Sequence, residues 1–130
     1  MLSVYVDTSA LGRVLLRTPE APSIQRDLGR FDQRVASRLL RIEIHRVALR
    51  ESLLDAVDPL LADISLIPLD EEILTTAETI RPTTVATLDA LHLATAVRLA
   101  DRDELDALMT YDKQLAAGAR EHGITVLSPS

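Results

Sequence analysis

Four acidic residues occupy positions where their carboxylates could bind a divalent metal ion: Asp7, Glu43, Asp89 and Asp112. Mg²⁺ and Mn²⁺ prefer oxygen ligands and usually keep waters that a phosphate or an attacking hydroxide can replace. An ion of this kind stabilises charge on a phosphate and activates water. Without an ion, clustered carboxylates repel one another and at least one pKa should rise. The four acids therefore point to metal-assisted chemistry on a phosphate, provided that the fold brings them together.

Three of these acids also have a simple structural explanation. Asp7 and Asp112 each follow a short apolar segment and could cap the helix that comes next. Asp89 begins an apolar helix, where the helix dipole favours a negative side chain. The hydroxyl groups of Thr8, Ser9 and Thr110 could orient a carboxylate or a bound water, although capping is their commoner role. Each acid alone is weak support for a site, and the four together are stronger support.

Glu43 is the most informative of the four. Its neighbours at helical spacing include Leu40 and Val47, so it lies beside the apolar face of its helix. A carboxylate there needs a partner, and the structural alternative is a salt bridge with Arg46 or Arg50. If Glu43 belongs to a carboxylate cluster, Glu43→Leu should raise thermal stability in metal-free buffer by removing repulsion and desolvation.

Other kinds of site have little support in the sequence. His45, His92 and His122 lack the two-histidine spacing of a zinc protease, and we expect them at solvated or rim positions. The chain has four glycines and none forms a phosphate-binding loop. It has no cysteine, which excludes disulfides, thiolate zinc sites and cysteine nucleophiles. Nucleotide-driven and thiol chemistry are therefore disfavoured.

Composition predicts one globular domain over residues 1–130, because 47% of the residues are hydrophobic and 26% are charged. The net charge of -6 argues against general electrostatic attraction to nucleic acid. Arginines are nevertheless concentrated in the first half of the chain, where they could form a local basic rim. The first residues run straight into Asp7 with no basic segment before a long apolar stretch, and no uninterrupted apolar span follows, so we expect a cytoplasmic protein without a membrane segment.

Strands and helices are expected to alternate along the chain. Apolar runs bounded by turn residues predict five strands, at 2–6, 34–37, 65–69, 107–110 and 124–127. Helical spacing and capping residues predict helices from about Ser9, over 24–31, from Ser37 to about Val57, over 71–80, 87–100 and 113–122, with Gly123 ending the last. This alternation indicates an α/β fold with a mostly parallel sheet covered on both faces. Ligands of such sheets bind beyond the carboxyl ends of the strands, where Asp7 and Asp112 are expected.

Four segments of the sequence resemble a known family when they are taken in order. They are Val4-Tyr5-Val6-Asp7-Thr8-Ser9-Ala10, Ile42-Glu43-Ile44, Leu88-Asp89-Ala90-Leu91-His92-Leu93-Ala94-Thr95-Ala96, and Met109-Thr110-Tyr111-Asp112 followed by Leu115-Ala116. Their order and separations resemble the PIN domains, and specifically the VapC toxins, over nearly the whole chain.

The resemblance implies a three-layer α/β/α sandwich around a five-stranded parallel sheet of order 3-2-1-4-5. It implies that Asp7, Glu43, Asp89 and Asp112 bind Mg²⁺ or Mn²⁺, and that Thr110 is the small hydroxyl residue of a catalytic site. It further implies an RNA-cleaving toxin that forms a homodimer and is inhibited by a cognate, VapB-like antitoxin.

Three functions are compatible with these observations. The first is a metal-dependent endoribonuclease, in which activated water attacks an RNA phosphodiester. The second is an aspartyl phosphotransferase or phosphatase with Asp7 as nucleophile, although Ser9 stands where that chemistry commonly has a second acid. The third is a non-catalytic protein-binding module with the same fold. A scaffold has no need for a carboxylate beside an apolar face, so the complete set of acids favours the nuclease.

Overall fold

A computed structural model describes residues 2–130 and shows strands and helices in alternation. The strands are β1 Ser3–Val6, β2 Gln33–Ser37, β3 Ile64–Ile67, β4 Ala107–Met109 and β5 Val126–Leu127. The helices are α1 Thr8–Leu15, α2 Ala21–Leu28, α3 Arg38–Arg50, α4 Val57–Leu61, α5 Glu71–Thr79, α6 Thr87–Asp101 and α7 Lys113–Glu121, with a 3-10 turn at Leu54–Ala56. Among the helices of residues 2–130, none is long and apolar enough to cross a membrane.

The five strands form one parallel sheet in the order β3-β2-β1-β4-β5. Strand β1 lies at the centre, with Tyr5 opposite Val35 of β2 on one side and opposite Leu108 of β4 on the other. The strand order reverses on either side of β1, so a crevice opens beyond the carboxyl ends of β1 and β4. The predicted α/β class and the order 3-2-1-4-5 are confirmed.

Alternate residues of the central strands enter two separate cores. Val4 and Val6 of β1 pack with residues of α1 to α4 on one face of the sheet. Tyr5 faces the other way and packs with Leu93 of α6 and Leu115 of α7. Since successive strand residues point to opposite faces, a strand buried on both sides must be apolar throughout. This arrangement is the expected three-layer sandwich.

The predicted helix from Ser37 to about Val57 is wrong beyond Arg50. Helix α3 ends at Arg50, and Ser52 follows in the left-handed region with a φ of 58°. The amide of Leu53 donates to the carbonyl of Ala48 at 2.8 Å, which is the closing bond of a Schellman motif. A glycine would have revealed this end in the sequence, but the position holds a serine. Helix α4 then starts afresh and accommodates Pro59 in its first turn, where proline is tolerated.

The last strand is shorter than predicted for a related reason. Gly123 ends α7 with a φ of 77°, as its position in the sequence predicts. The amide of Ile124 then donates to the carbonyl of Ala119 at 2.9 Å and closes the helix instead of joining the sheet. Strand β5 therefore begins at Val126.

Candidate active site

Asp7 lies at the carboxyl end of the central strand and is almost completely buried. It directly follows β1, and its side-chain Oδ1 accepts from the amide of Ala10 at 3.2 Å, so it caps α1 as the structural alternative predicts. The hydroxyl of Ser9 donates to Oδ1 and that of Thr110 donates to Oδ2, both at 2.8 Å. Burial raises the pKa of Asp7, and the hydrogen bonds from Ser9 and Thr110 partly oppose that shift. The carboxylate is thus fixed in orientation and is a poor candidate for a free nucleophile.

Ser9 and Thr110 join the ends of β1 and β4. Their hydroxyl oxygens are 3.2 Å apart, and Thr110 is fully buried. The amide of Tyr111 donates to Ser9 Oγ at 2.8 Å, and the amide of Asp112 donates to Thr110 Oγ1 at 3.0 Å. The two hydroxyls therefore hold the loop that carries Asp112 against the Asp7 carboxylate, and they do more than cap a helix.

Asp89 and Asp112 lie next to one another in the same crevice. Asp112 caps α7 by accepting from the amide of Leu115 at 2.8 Å. Asp89 stands in the first turn of α6. Burial, together with the nearby negative charges of Asp112 and Asp7, raises the pKa of Asp89 to about 6. Three of the four predicted acids therefore share one region beyond β1 and β4. The raised pKa of Asp89 is the effect expected of clustered carboxylates without a cation.

Glu43 enters the site from α3 and is held by two donors. Its Oε1 accepts from Thr8 Oγ1 at 2.7 Å and from His92 Nε2 at 2.6 Å. Burial opposes ionisation of Glu43, but the hydrogen bonds from His92 and Thr8 outweigh it and hold the pKa below its ordinary value. Among the ion pairs of residues 2–130, Glu43 pairs with His92 and not with Arg46 or Arg50.

The expectation that His92 occupies a solvated or rim position is wrong. His92 is 1% exposed, and its ring meets that of Tyr5 edge to face, with centroids 5.8 Å apart. The signal was present in the sequence, because Leu91 and Leu93 flank His92 within a helix that is apolar nearly all round. Sequence reasoning missed both His92 and Tyr5 because their partners are far away along the chain.

The donor set fits a hydrated Mg²⁺ or Mn²⁺ ion better than a dehydrated one. Within residues 2–130, no three His, Asp or Glu side chains form a ready-made cage for an ion. Mg²⁺ seldom uses such a cage, since it binds one or two carboxylates and completes its shell with waters and substrate phosphate. The Asp89 and Asp112 pair offers carboxylate oxygens whose mutual repulsion a cation would relieve. The oxygen ligands and the negative charge of the site therefore suit a hydrated Mg²⁺ or Mn²⁺ ion.

The sequence matches the PIN domain family over residues 4–121. This chain belongs to the PIN-domain family. Two relatives from Mycobacterium tuberculosis place it among the VapC proteins. Ribonuclease VapC47 is 37% identical over 97% of this chain and 96% of its own length. Ribonuclease VapC46 is 37% identical over 100% of both chains.

Solved structures show the same fold at much lower sequence identity. A chain of a toxin-antitoxin complex from Klebsiella pneumoniae superimposes with a TM-score of 0.74 at 20% identity and covers 98% of both chains. VapC20 of Mycobacterium tuberculosis, described as a toxin that cleaves the sarcin-ricin loop, gives a TM-score of 0.67 at 13% identity over 88% of this chain and 93% of its own. These likenesses extend the PIN fold to nearly the full length of the chain.

Replacing Asp89 with asparagine is expected to stabilise the metal-free PIN domain near neutral pH. The folded-state pKa of Asp89 is raised from 3.8 to about 6, so the folded protein favours the protonated carboxyl. The stability that this protonated group gives is fully present below pH 3.8 and is lost as the pH rises through 6. Asp89→Asn removes that loss. After a discount for partial exposure, the gain at pH 7.5 is about 1 kcal/mol, or roughly 3–5 °C in Tm.

Thermal unfolding in EDTA from about pH 4 to 7.5 checks this expectation for Asp89. The advantage of the variant should disappear at the acid end. Asp101→Asn is the matched control, because it removes an exposed aspartate from the last position of the same helix. A gain at Asp89 that is equal at both ends of the pH range would show that carboxylate repulsion is not its source.

Proposed function

We propose that this PIN-domain chain is a Mg²⁺- or Mn²⁺-dependent endoribonuclease and the toxin component of a type II toxin-antitoxin system. The observation that carries the proposal is the convergence of Asp7, Asp89 and Asp112 beyond the ends of β1 and β4, where burial, together with the charges of Asp112 and Asp7, raises the pKa of Asp89 to about 6. The names of VapC46 and VapC47, both ribonucleases, support RNA as the substrate. Residues 1–130 would then form one such domain.

The residues that would hold the ion, directly or through its bound waters, are Asp7, Glu43, Asp89 and Asp112. When bound, the ion supplies charge stabilisation at the phosphate and an activated water. Ser9 and Thr110 keep the Asp7 carboxylate in one orientation.

A groove beside these acids could receive the RNA backbone. It has a volume of about 560 Å³ and extends from Thr8 and Ser9 past Arg13 to Arg50. The guanidinium of Arg13 lies 4.0 Å from the centroid of the Tyr111 ring and donates to the carbonyl of Ser9 at 2.7 Å, which fixes its position. Arg13 and Arg50 outnumber Glu20 among the residues that line the groove, which gives it a small positive charge in a chain of net charge -6. The arginine-rich rim proposed from the sequence is represented here by Arg50.

Arg34, by contrast, has a structural role. Its guanidinium donates to the carbonyls of Leu28 and Phe31 at 3.1 and 3.0 Å. Both acceptors belong to the end of α2 and the turn after it. Arg34 therefore ties β2 to that turn, and the basic surface available to RNA is narrower than the arginine count of the first half suggests.

Arg50→Gln is expected to weaken RNA binding about 3- to 10-fold and to lower the salt slope by roughly 0.7. The physical reason is the loss of one phosphate contact in the groove beside Thr8 and Ser9. Fluorescence anisotropy of a labelled RNA at several salt concentrations, in an Asp7→Asn background that prevents cleavage, measures both quantities. Arg30→Gln is the matched control, because Arg30 pairs with Asp27 and does not line the groove. Equal losses in the two variants would show that general charge, and not the groove, determines affinity.

The partners proposed for this chain are a VapB-like antitoxin and a second copy of the chain in a homodimer. The support for an antitoxin is the likeness to a chain of a toxin-antitoxin complex, together with the VapC relatives. Purification should therefore include a denaturing wash that removes a tightly bound inhibitor before refolding. Size-exclusion chromatography with light scattering of the refolded chain tests the dimer.

The decisive experiment is cleavage of a mixed structured-RNA sample by the refolded protein with Mn²⁺, with Mg²⁺ and with EDTA. We expect cleavage with either ion and none with EDTA. Cleavage that continues in EDTA would contradict the metal dependence. Folded, inhibitor-free protein that binds Mn²⁺ but cleaves no RNA in a broad panel would contradict the nuclease, and absence of Mn²⁺ binding as well would favour a non-catalytic binding module.

A further inference from the structure

A buried chain of hydrogen bonds runs through the interior of the molecule and ends on Glu43. The amide of Ser37, at the end of β2, donates to the hydroxyl of Tyr5 at 3.0 Å. That hydroxyl lies 2.6 Å from His92 Nδ1. His92 Nε2 lies 2.6 Å from Glu43 Oε1. The chain thereby connects β1, β2 and α6 to the one site carboxylate that comes from α3.

One arrangement of hydrogens gives every donor in this chain of hydrogen bonds an acceptor. The Ser37 amide can only donate, so the Tyr5 oxygen accepts from it. Burial raises the pKa of Tyr5, so the phenol keeps its hydrogen and donates it to His92 Nδ1. The imidazole then carries its proton on Nε2 and donates to the Glu43 carboxylate. In this arrangement each donor from the Ser37 amide to His92 Nε2 has an acceptor.

The geometry fixes Glu43 from two directions. Thr8 Oγ1 approaches Oε1 at 2.7 Å from α1, and His92 approaches the same oxygen from α6. In residues 2–130, the hydrogen bonds made by the Glu43 side chain all involve Oε1, which leaves Oε2 for a ligand. The Glu43 side chain is 23% exposed, whereas that of His92 is 2% exposed. The Glu43 carboxylate is thus partly exposed while the histidine that supports it is enclosed.

Structural packing alone does not account for an imidazole at this position. Burying polar groups costs free energy unless every one is hydrogen-bonded, and apolar residues of similar volume are often as stable or more stable. The Nε2 donor of His92 has its acceptor only when Glu43 is present. Partners of this kind, which orient a metal-binding carboxylate without touching the metal, typically contribute 10- to 100-fold to metal affinity or activity.

We propose that His92, oriented by Tyr5, is a positioning residue that holds the Glu43 carboxylate with Oε2 directed to the catalytic crevice. The inference rests on the proposed nuclease function. His92 and Tyr5 act through Glu43, so they should influence metal affinity and kcat more than the KM for RNA.

His92→Leu should weaken Mn²⁺ binding, measured by isothermal titration calorimetry without RNA, and lower kcat, each by about 10- to 100-fold. The KM for RNA should change less than about threefold, since no RNA contact is removed. His92→Gln, whose side-chain amide can replace the Nε2 donor, should recover a large part of both losses. Tyr5→Phe keeps the ring but removes the hydroxyl, and it should give a smaller loss of the same kind.

Thr95→Val is the matched control for damage to the core. Thr95 is also a buried polar residue of α6, and its hydroxyl donates only to the carbonyl of Leu91 in the same helix. The control should lower Tm without changing Mn²⁺ affinity or kcat. If His92→Leu and Thr95→Val behave alike at equal loss of Tm, or if His92→Gln recovers nothing, the positioning role is wrong.

The two proposals fail in different ways. A folded wild-type protein that cleaves no RNA overturns the nuclease proposal. The positioning role can still be tested in that case by comparing the Mn²⁺ affinity of His92→Leu with that of wild type. A wild-type protein that cleaves RNA, with unchanged kcat and Mn²⁺ affinity in His92→Leu, overturns the positioning role alone. If His92→Leu does not fold, Tyr5→Phe decides the outcome, because unchanged Mn²⁺ affinity and kcat in that variant would contradict the chain of hydrogen bonds.

Discussion

Asp7→Asn is expected to reduce RNA cleavage by at least about 100-fold, more than the loss of a supporting residue typically costs. The substitution keeps the size of the side chain and one oxygen, but it removes the negative charge nearest the end of the central strand. Asp7 is 3% exposed, so little solvent screens that charge from an ion in the crevice. Single-turnover cleavage of labelled RNA in Mn²⁺ measures the chemical step. Titration of Mn²⁺ in the same assay shows whether added ion restores the rate.

Asp70→Asn is the matched control for Asp7→Asn. Asp70 caps α5 by accepting from the amide of Ile73 at 3.0 Å, just as Asp7 caps α1. Asparagine is also a good capping residue, so neither variant should lose much helix stability. Asp70 lies outside the crevice and pairs with Arg98. Full activity in both variants would mean that Asp7 is only a cap, whereas loss confined to Asp7→Asn separates the two roles.

Local patterns in the sequence were sufficient to predict the architecture. Strands β1 and β4 are mostly apolar and are buried along their whole length. Asp70 caps the start of α5 with its side chain, and Gly123 ends α7 with its positive φ. The end of α3 could not be predicted, because Ser52 adopts a left-handed conformation that serine rarely takes. The strand order came from the resemblance to PIN domains, since pairing between distant strands leaves no local pattern.

The candidate site was predictable as a set of residue types but not as a set of contacts. Acids that follow strands or begin helices are expected near the carboxyl edge of the sheet, where ligands bind. Asp7 and Asp112 occupy such positions and also cap helices. The partner of Glu43 is 49 residues away, and Tyr5 is 87 residues from His92. A nearby arginine in the same helix was therefore the natural guess for Glu43. Only the contacts of α6 with β1 and α3 show that His92 is the partner of Glu43.

Glu43→Leu is now expected to lower the stability of the metal-free protein, opposite to the expectation from the sequence. That expectation assumed that Glu43 is repelled by other acids. In the structure its pKa lies below the ordinary value because of the hydrogen bonds from His92 and Thr8. Leucine would leave the buried Nε2 of His92 without an acceptor, which costs about 1–3 kcal/mol and exceeds the gain from one partly buried leucine. Thermal unfolding in EDTA near neutral pH should show a Tm lower by roughly 3–8 °C.

Glu43→Gln is the control that separates the lost acceptor from the lost charge. Glutamine keeps a side-chain oxygen that can accept from both donors, so its Tm should stay closer to that of wild type. The pKa of Glu43 is lowered in the folded state, so the stability that depends on its charge is present above the ordinary value of 4.5 and is lost as the pH falls through the folded-state pKa. The gap between wild type and Glu43→Gln should therefore narrow under acid conditions, while the deficit of Glu43→Leu should persist in part. A higher Tm for Glu43→Leu than for wild type would restore the repulsion argument and remove the physical basis for His92 as a support.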